Sequence, residues 1–217
     1  MKKPFRIAVL ASGGGTNLQS IIDQQQCGQL SVDIALVISN NPGAGALDRA
    51  QQAGINTLCI NHRKHSTRED FDQALVNALQ QADVDLVVLA GFMRIITPVM
   101  LKAFAQRIIN IHPALLPAFP GLDGQQQAID YGARFSGCTV HFVDAGVDTG
   151  PIIVQAVVPI LPEDSAVTLA QRILEQEHRI YPQAIQWLAE GRVKIEGRKV
   201  IITDCTSCVK TLTNPTH

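Results

Sequence analysis

No excess of charge of either sign marks this chain: 18 Lys and Arg face 19 Asp and Glu, a formal net charge of −1. That balance removes the usual electrostatic case for nucleic acid as a partner. Nor does any stretch approach the roughly 18 consecutive apolar residues of a membrane span. The opening MKKPFRIAVLASGGG sets two lysines before a short apolar run. Pro4 and Arg6 interrupt that run and glycines end it, so it reads as a first strand and not as a leader. Cysteines are few. The five are scattered and odd in number, which fits reduced thiols and a cytoplasmic protein. Cys205 and Cys208 form a Cys-x-x-Cys with no second pair, so no metal or redox role is expected there.

Apolar residues make up 46% of the 217, enough for one domain with a substantial core. They come in runs of strand length: 6–12, 32–39, 56–62, 84–92 and 107–113. These runs are continuous where a half-exposed strand would alternate, the pattern of strands covered on both faces. Helical segments are expected between them, at about 16–27, 44–53, 66–82 and 97–106. The third carries Ser66 three residues before Glu69, a capping-box spacing. The alternation predicts an α/β fold: a doubly wound, Rossmann-like, mostly parallel sheet with helices on both faces. After residue 113 the pattern changes. Segments 138–144 and 151–160 suggest an antiparallel addition, a long helix follows from about Ser165 to Glu190, and a hairpin turns at Glu196-Gly197. Residues 1–203 are expected to form a single domain and 204–217 a polar tail.

Three stretches carry chemistry. LASGGGTNLQS runs a strand through three glycines into a helix start, where close backbone approach and free N–H groups suit an anion. Gly15 is followed by Thr16 and Asn17, not by Lys-Ser/Thr. The second strand ends in SNNPG without the acid a dinucleotide site needs. A single phosphate therefore fits better than a dinucleotide, and a glycine turn that merely permits packing is the plainer alternative.

NIHPALLPAFPG comes next. Asn110 and His112 lie two apart and leave one face of a strand together. An amide donor and an imidazole could there hold a developing oxyanion and move a proton. Pro113 and Pro117 stiffen the exit of the chain. A buried histidine satisfied by backbone is the alternative. VHFVDAGVDTGP then supplies Asp144 and Asp148, either of which could orient His112 and favour its charged form, and either of which could be a turn residue. Arg94, just after the fourth buried run, suits a cavity with one charged anchor or a snorkelling side chain. The basic NHRKHSTR segment reads as a solvated loop.

SGGGTNLQ, VVLAGFMRI, NIHPALLPAFPGL, HFVDAGVDTGP and EQEHRIYP, in this order and spacing, resemble the phosphoribosylglycinamide formyltransferase family of purine biosynthesis. The resemblance runs from Arg6 to about Gly197. It implies formyl transfer from 10-formyltetrahydrofolate, as co-substrate, to the amine of glycinamide ribonucleotide, without metal. It implies Asn110, His112 and Asp148 as catalytic residues, which selects Asp148 over Asp144. By the same resemblance Gly15, Thr16, Asn17 and Glu177 hold the ribonucleotide. Arg68, Met93, Arg94, Ile95, Ile96 and Asn110 border the folate pocket. The implied partners are these two small molecules, with neither nucleic acid nor membrane, in a monomer or homodimer. Two departures stand out: Asp123 follows the PGL turn where many members carry His, and GGGTN replaces a pattern with a non-Gly residue at Gly14 and Ser at Thr16. Sister enzymes that formylate methionyl-tRNA or hydrolyse formyl-folate need an extra C-terminal or N-terminal domain for which this chain has no expected room. A non-catalytic nucleotide-binding module would need the glycine loop but not the Asn-His-Asp trio.

Overall fold

The computed structural model describes residues 3–204 and Asn214. Cys205 and Cys208, and the tail around them, lie outside the described residues. Seven strands form one sheet: β1 (Arg6–Ala11), β2 (Asp33–Ser39), β3 (Thr57–Cys59), β4 (Leu86–Leu89), β5 (Ile108–His112), β6 (Phe135–Phe142) and β7 (Ile152–Pro159). Their spatial order is β3-β2-β1-β4-β5-β6-β7. The first five strands are mutually parallel. β6 runs antiparallel to β5, with Asn110 opposite His141, and β7 antiparallel to β6. A two-stranded antiparallel sheet, β8 (Val193–Glu196) and β9 (Lys199–Ile202), completes the expected C-terminal addition.

The continuous apolar runs are explained by two cores. Ile7, Val9 and Ala11 of β1 face one, and Ala8 and Leu10 face the other. The first core is roofed by α1 (Thr16–Gln26), α2 (Gly45–Gln52), α5 (Gly124–Tyr131) and α6 (Ala166–Ala189). The second is roofed by α3 (Arg68–Gln81) and α4 (Pro98–Ala103). Side chains of one strand point alternately to opposite faces, so a strand buried on both must be apolar throughout.

Three local expectations change. The third helix is capped by Thr67, whose hydroxyl accepts from the Asp70 amide, and not by Ser66. A reciprocal capping box does occur, at Ser165 and Thr168 on α6. The 56–62 run is only a three-residue edge strand whose Leu58 and Cys59 are exposed, because an edge pairs with one neighbour alone. And α5 was not expected: it follows Asp123, which stands in the left-handed region at φ 58°, and ends at Gly132. Its glutamine-rich sequence offers only a narrow apolar stripe.

Strand order reverses between β1 and β4. Parallel sheets open a crevice at the carboxyl ends of their strands at such a point. Gly13–Gly15, Gly91–Ile96 and Asn110–His112 all issue there.

Candidate active site

The glycine loop is built by α2. Gly13 O accepts from the Ala46 amide (3.1 Å) and Gly14 O from Arg49 Nε (2.8 Å). In a trans peptide the N–H points opposite to the C=O, so with both carbonyls held by α2 the Gly14 and Gly15 amides point away from that helix. Gly15 sits at the helix N-cap with φ 75°, a conformation natural to glycine. Its missing Cβ matters as well, since one built there would lie 2.7 Å from Ala46 Cα. Around Gly13 and Gly14 there is open space instead.

Asn17, in the first turn of α1, donates from Nδ2 to Glu177 Oε2 (2.8 Å), while its Oδ1 is buried without a partner. Glu177 is 7% exposed on α6. Burial pushes its carboxyl above the usual range, and the Asn17 amide only partly offsets this. One helical turn on, Tyr181 is fully buried with its hydroxyl 2.8 Å from Leu89 O and 3.2 Å from Ile109 O, bridging β4 and β5 just before Asn110. The structure thus brings Gly15, Thr16, Asn17 and Glu177 together at one end of the crevice.

At the other end, Arg68, Arg94 and Ile95 line a cavity of about 180 Å³ with His62, His65 and Phe71. Met93 and Ile96 do not line it. The Met93 amide donates to Ser12 Oγ (2.8 Å), and Ser12 donates in turn to Asn40 Oδ1 (2.6 Å), so the strip after β4 is tied to the strand that enters the glycine loop.

Next to the strip after β4 lie the polar side chains of β5. His112 is 4% exposed. Its Nε2 donates to Phe119 O (2.9 Å), and its Nδ1 lies 3.3 Å from Asp148 Oδ2. Both ring nitrogens therefore face oxygens that can only accept, and an imidazolium can be held with neither N–H unpaired. Asp148 stands at φ 55° and also accepts from the Gly121 amide (2.9 Å). Burial alone would raise its carboxyl; hydrogen bonds from His141 and Gly121, with the two imidazoles beside it, bring it below the usual range. Asp144 has the other role open to it: it is a turn residue, accepting from the Gly146 amide and from Thr149 Oγ1 (2.6 Å). Gly150 is confined as well, since a Cβ there would meet Phe142 O at 1.7 Å.

His141 is the residue that sequence reasoning passed over. Its Nε2 lies 3.2 Å from Asn110 Nδ2 and 3.6 Å from Asp148 Oδ1, and its Nδ1 donates to Phe142 O (2.9 Å). The antiparallel register that sets it opposite Asn110 leaves no mark in either segment read alone. The loop after His112 is held just as firmly. Thr139 Oγ1 donates to Ala114 O and accepts from the Leu116 amide, and Gln155 Nε2 donates to Leu116 O (2.9 Å). That clamp keeps Phe119 and Gly121 against His112 and Asp148. Chemically, the arrangement offers an amide donor, an imidazole and a carboxylate next to an anion-binding loop, a set suited to stabilising negative charge that develops during reaction.

Among the described residues no helix is long and apolar enough to cross a membrane. The formyl transferase family model matches residues 5–185. Phosphoribosylglycinamide formyltransferase of Haemophilus influenzae is 48% identical over 191 residues, covering 88% of this chain and 90% of that protein. The trifunctional purine biosynthetic protein adenosine-3 of Drosophila melanogaster is 50% identical over 192 residues, of which this chain spans only 14% of the length. Glycinamide ribonucleotide transformylase 1 from Symbiobacterium toebii superposes with a TM-score of 0.92 at 52% identity, covering 94% of this chain and 96% of that one.

Proposed function

Since the chain belongs to the formyl transferase family, we propose that it moves the formyl group of 10-formyltetrahydrofolate to the amine of glycinamide ribonucleotide, in the cytoplasm, as a step of purine biosynthesis. The observation that carries this reading is the placement of Asn110, His112 and Asp148 at the same carboxyl edge of the sheet as an open glycine loop and a cavity lined by two arginines. Residues 1–203 act in it as one catalytic unit.

The amides of Gly15, Thr16 and Asn17 hold the phosphate. Glu177, an acceptor fixed by Asn17, takes a hydroxyl of the ribose. Arg68 and Arg94 meet the carboxylates of the folate, and Phe71 and Ile95 its ring system, with the Met93–Ile96 backbone alongside. The amine nitrogen attacks the formyl carbon. The carbonyl oxygen becomes negative in a tetrahedral intermediate, and Asn110 Nδ2 and His112 Nε2–H donate to it. Asn110 turns from His141 to do so, and the oxygen takes the place at Nε2 that the Phe119 carbonyl holds. As the bond from the formyl carbon to folate N10 breaks, the proton lost by the amine is returned to N10 through His112 or water. Asp148 keeps His112 aimed and compensates its charge.

The direct test is an assay supplying both substrates. Formylglycinamide ribonucleotide and tetrahydrofolate should form in equal amounts. Release of free formate at the same rate without ribonucleotide would favour a formyl-folate hydrolase. A saturating folate analogue at 100 times its Kd should add about 2.7 kcal/mol, raising the Tm by roughly 5–10 °C. No shift at all would refute the pocket assignment.

A second expectation concerns Glu177. Its native pKa is raised, so its contribution to stability is complete below the unfolded value and is lost as pH rises through the native one. At neutral pH the buried carboxylate is therefore a liability. Glu177→Gln, still able to accept from Asn17, should raise the Tm at pH 7, the gain vanishing near about pH 4. Ribonucleotide affinity should fall roughly tenfold as a charge-assisted hydrogen bond becomes neutral. Thermal scans across pH with titration calorimetry measure both, and a lower Tm at neutral pH would contradict the account.

A further inference from the structure

Asp72 is a buried acid that the proposed chemistry does not use. It lies on α3, 1% exposed, and its Oδ2 accepts from the Thr97 amide at 2.6 Å. Its Oδ1 and the hydroxyl of Thr97, itself 5% exposed, are both buried without a partner. Thr97 is the N-cap of α4, yet its own side chain makes no capping bond there. The cap comes from another helix.

The location gives this contact its meaning. α3 begins at Arg68, four residues before Asp72, so the two share one helix face. Arg68 and Phe71 of α3 form one wall of the two-arginine cavity, and Arg94 and Ile95 form the facing wall. Thr97 closes the strip that carries that second wall. The Asp72–Thr97 bond is a tie between the two walls at their buried base. Among its charged neighbours, Glu69 opposes the Asp72 charge and Arg94 favours it, so the carboxylate also bears on one of the cavity's two cations. A carboxylate whose hydrogen bonding rests on Thr97 alone is costly to bury, and a neutral side chain would serve a six-residue helix better.

We propose that Asp72 is a positioning residue for the co-substrate pocket, setting the width between its two walls by holding the Thr97 amide. This rests on the reading of that cavity as the folate site. Asp72 touches no substrate; it acts through Thr97 on Arg94 and Ile95.

The test compares Asp72→Ala and Asp72→Asn with wild type, measuring kcat, both KM values, Tm, and the Kd of a folate analogue by equilibrium titration. Asp72→Ala should raise the folate KM and the analogue Kd roughly tenfold, the cost of a lost charge-assisted hydrogen bond. Ribonucleotide KM and kcat at saturation should stay within about twofold, because the glycine loop and β5 are untouched. Asp72→Asn should restore folate binding to within about threefold, since its amide oxygen can accept from Thr97 and its NH2 can donate to the orphan hydroxyl. An unchanged analogue Kd in folded Asp72→Ala overturns the proposal, and so does equal weakening of both substrates. If the alanine variant does not fold, Asp72→Asn decides alone: a native Tm with tenfold weaker folate binding overturns it. A wild-type protein that binds no folate analogue and transfers no formyl refutes the function itself. Wild-type activity alongside an indifferent Asp72→Ala refutes only the positioning role.

Discussion

His112→Ala should lower kcat by roughly 10²–10³-fold, about 2.7–4 kcal/mol, the usual cost of removing one donor from a developing oxyanion. Asn110→Ala should cost a similar amount. Neither change should alter ribonucleotide affinity by more than about twofold, since the glycine loop and Glu177 lie on other elements. Losses in kcat at constant KM mean an interaction made only in the transition state. The two deletions should not be additive, because both donors serve one oxygen. The double variant should be little slower than the worse single one. Steady-state kinetics on the three proteins test this. A His112→Ala enzyme with full activity would exclude the mechanism, though not the family. His141→Ala offers a useful contrast. It frees the Asn110 amide and takes an imidazole from beside Asp148 without deleting a donor to substrate, so its effect should be smaller than either.

Valine at Gly15 and valine at Gly13 should fail for different reasons, and the difference is large. From sequence, a side chain at Gly15 blocks the close approach of a phosphate. In the structure Gly15 is at φ 75° with Ala46 pressed against it, so Gly15→Val forces a β-branched residue into the left-handed region and against a neighbouring helix. Strain of about 1–3 kcal/mol for the backbone alone, with the clash added, should lower the Tm by roughly 5–10 °C. It should weaken both substrates together. Gly13 has nothing within 4 Å of its would-be Cβ and no positive φ. Gly13→Val should fold normally, keep folate affinity, and lose ribonucleotide affinity by tenfold or more, because only the ligand approaches there. Thermal scans and separate titrations with the two ligands distinguish the cases. Normal ribonucleotide binding by Gly13→Val would remove the phosphate from this loop.

The sequence by itself determined the architecture. Runs of apolar residues long enough for strands, continuous and spaced by helical segments, specify a parallel sheet covered on both faces. The two cores divide each run residue by residue, as Ile7 and Ala8 do. It also marked the candidate loops, because chemistry needs residue types, and glycine before a helix or Asn-x-His at a strand end is local information. The pairing of Asn110 with His112 on one face followed from the two-residue period of a strand.

What the tertiary structure alone decided is everything set by contact between distant segments. Asp144 and Asp148 share one loop and one residue type. Only the packing of that loop against Gly121 and the two histidines turns one into a half-buried acceptor and leaves the other a turn. His141 enters the site through the register of an antiparallel pair, and Glu177 reaches Asn17 across 160 residues. Asp72 accepts from the N-cap residue of another helix, 25 residues later. Local propensity and periodicity act over a few residues and are written in the chain at that range. Hydrogen-bond partners, desolvation and close approach depend on which surfaces meet, and that is settled only when the two cores close.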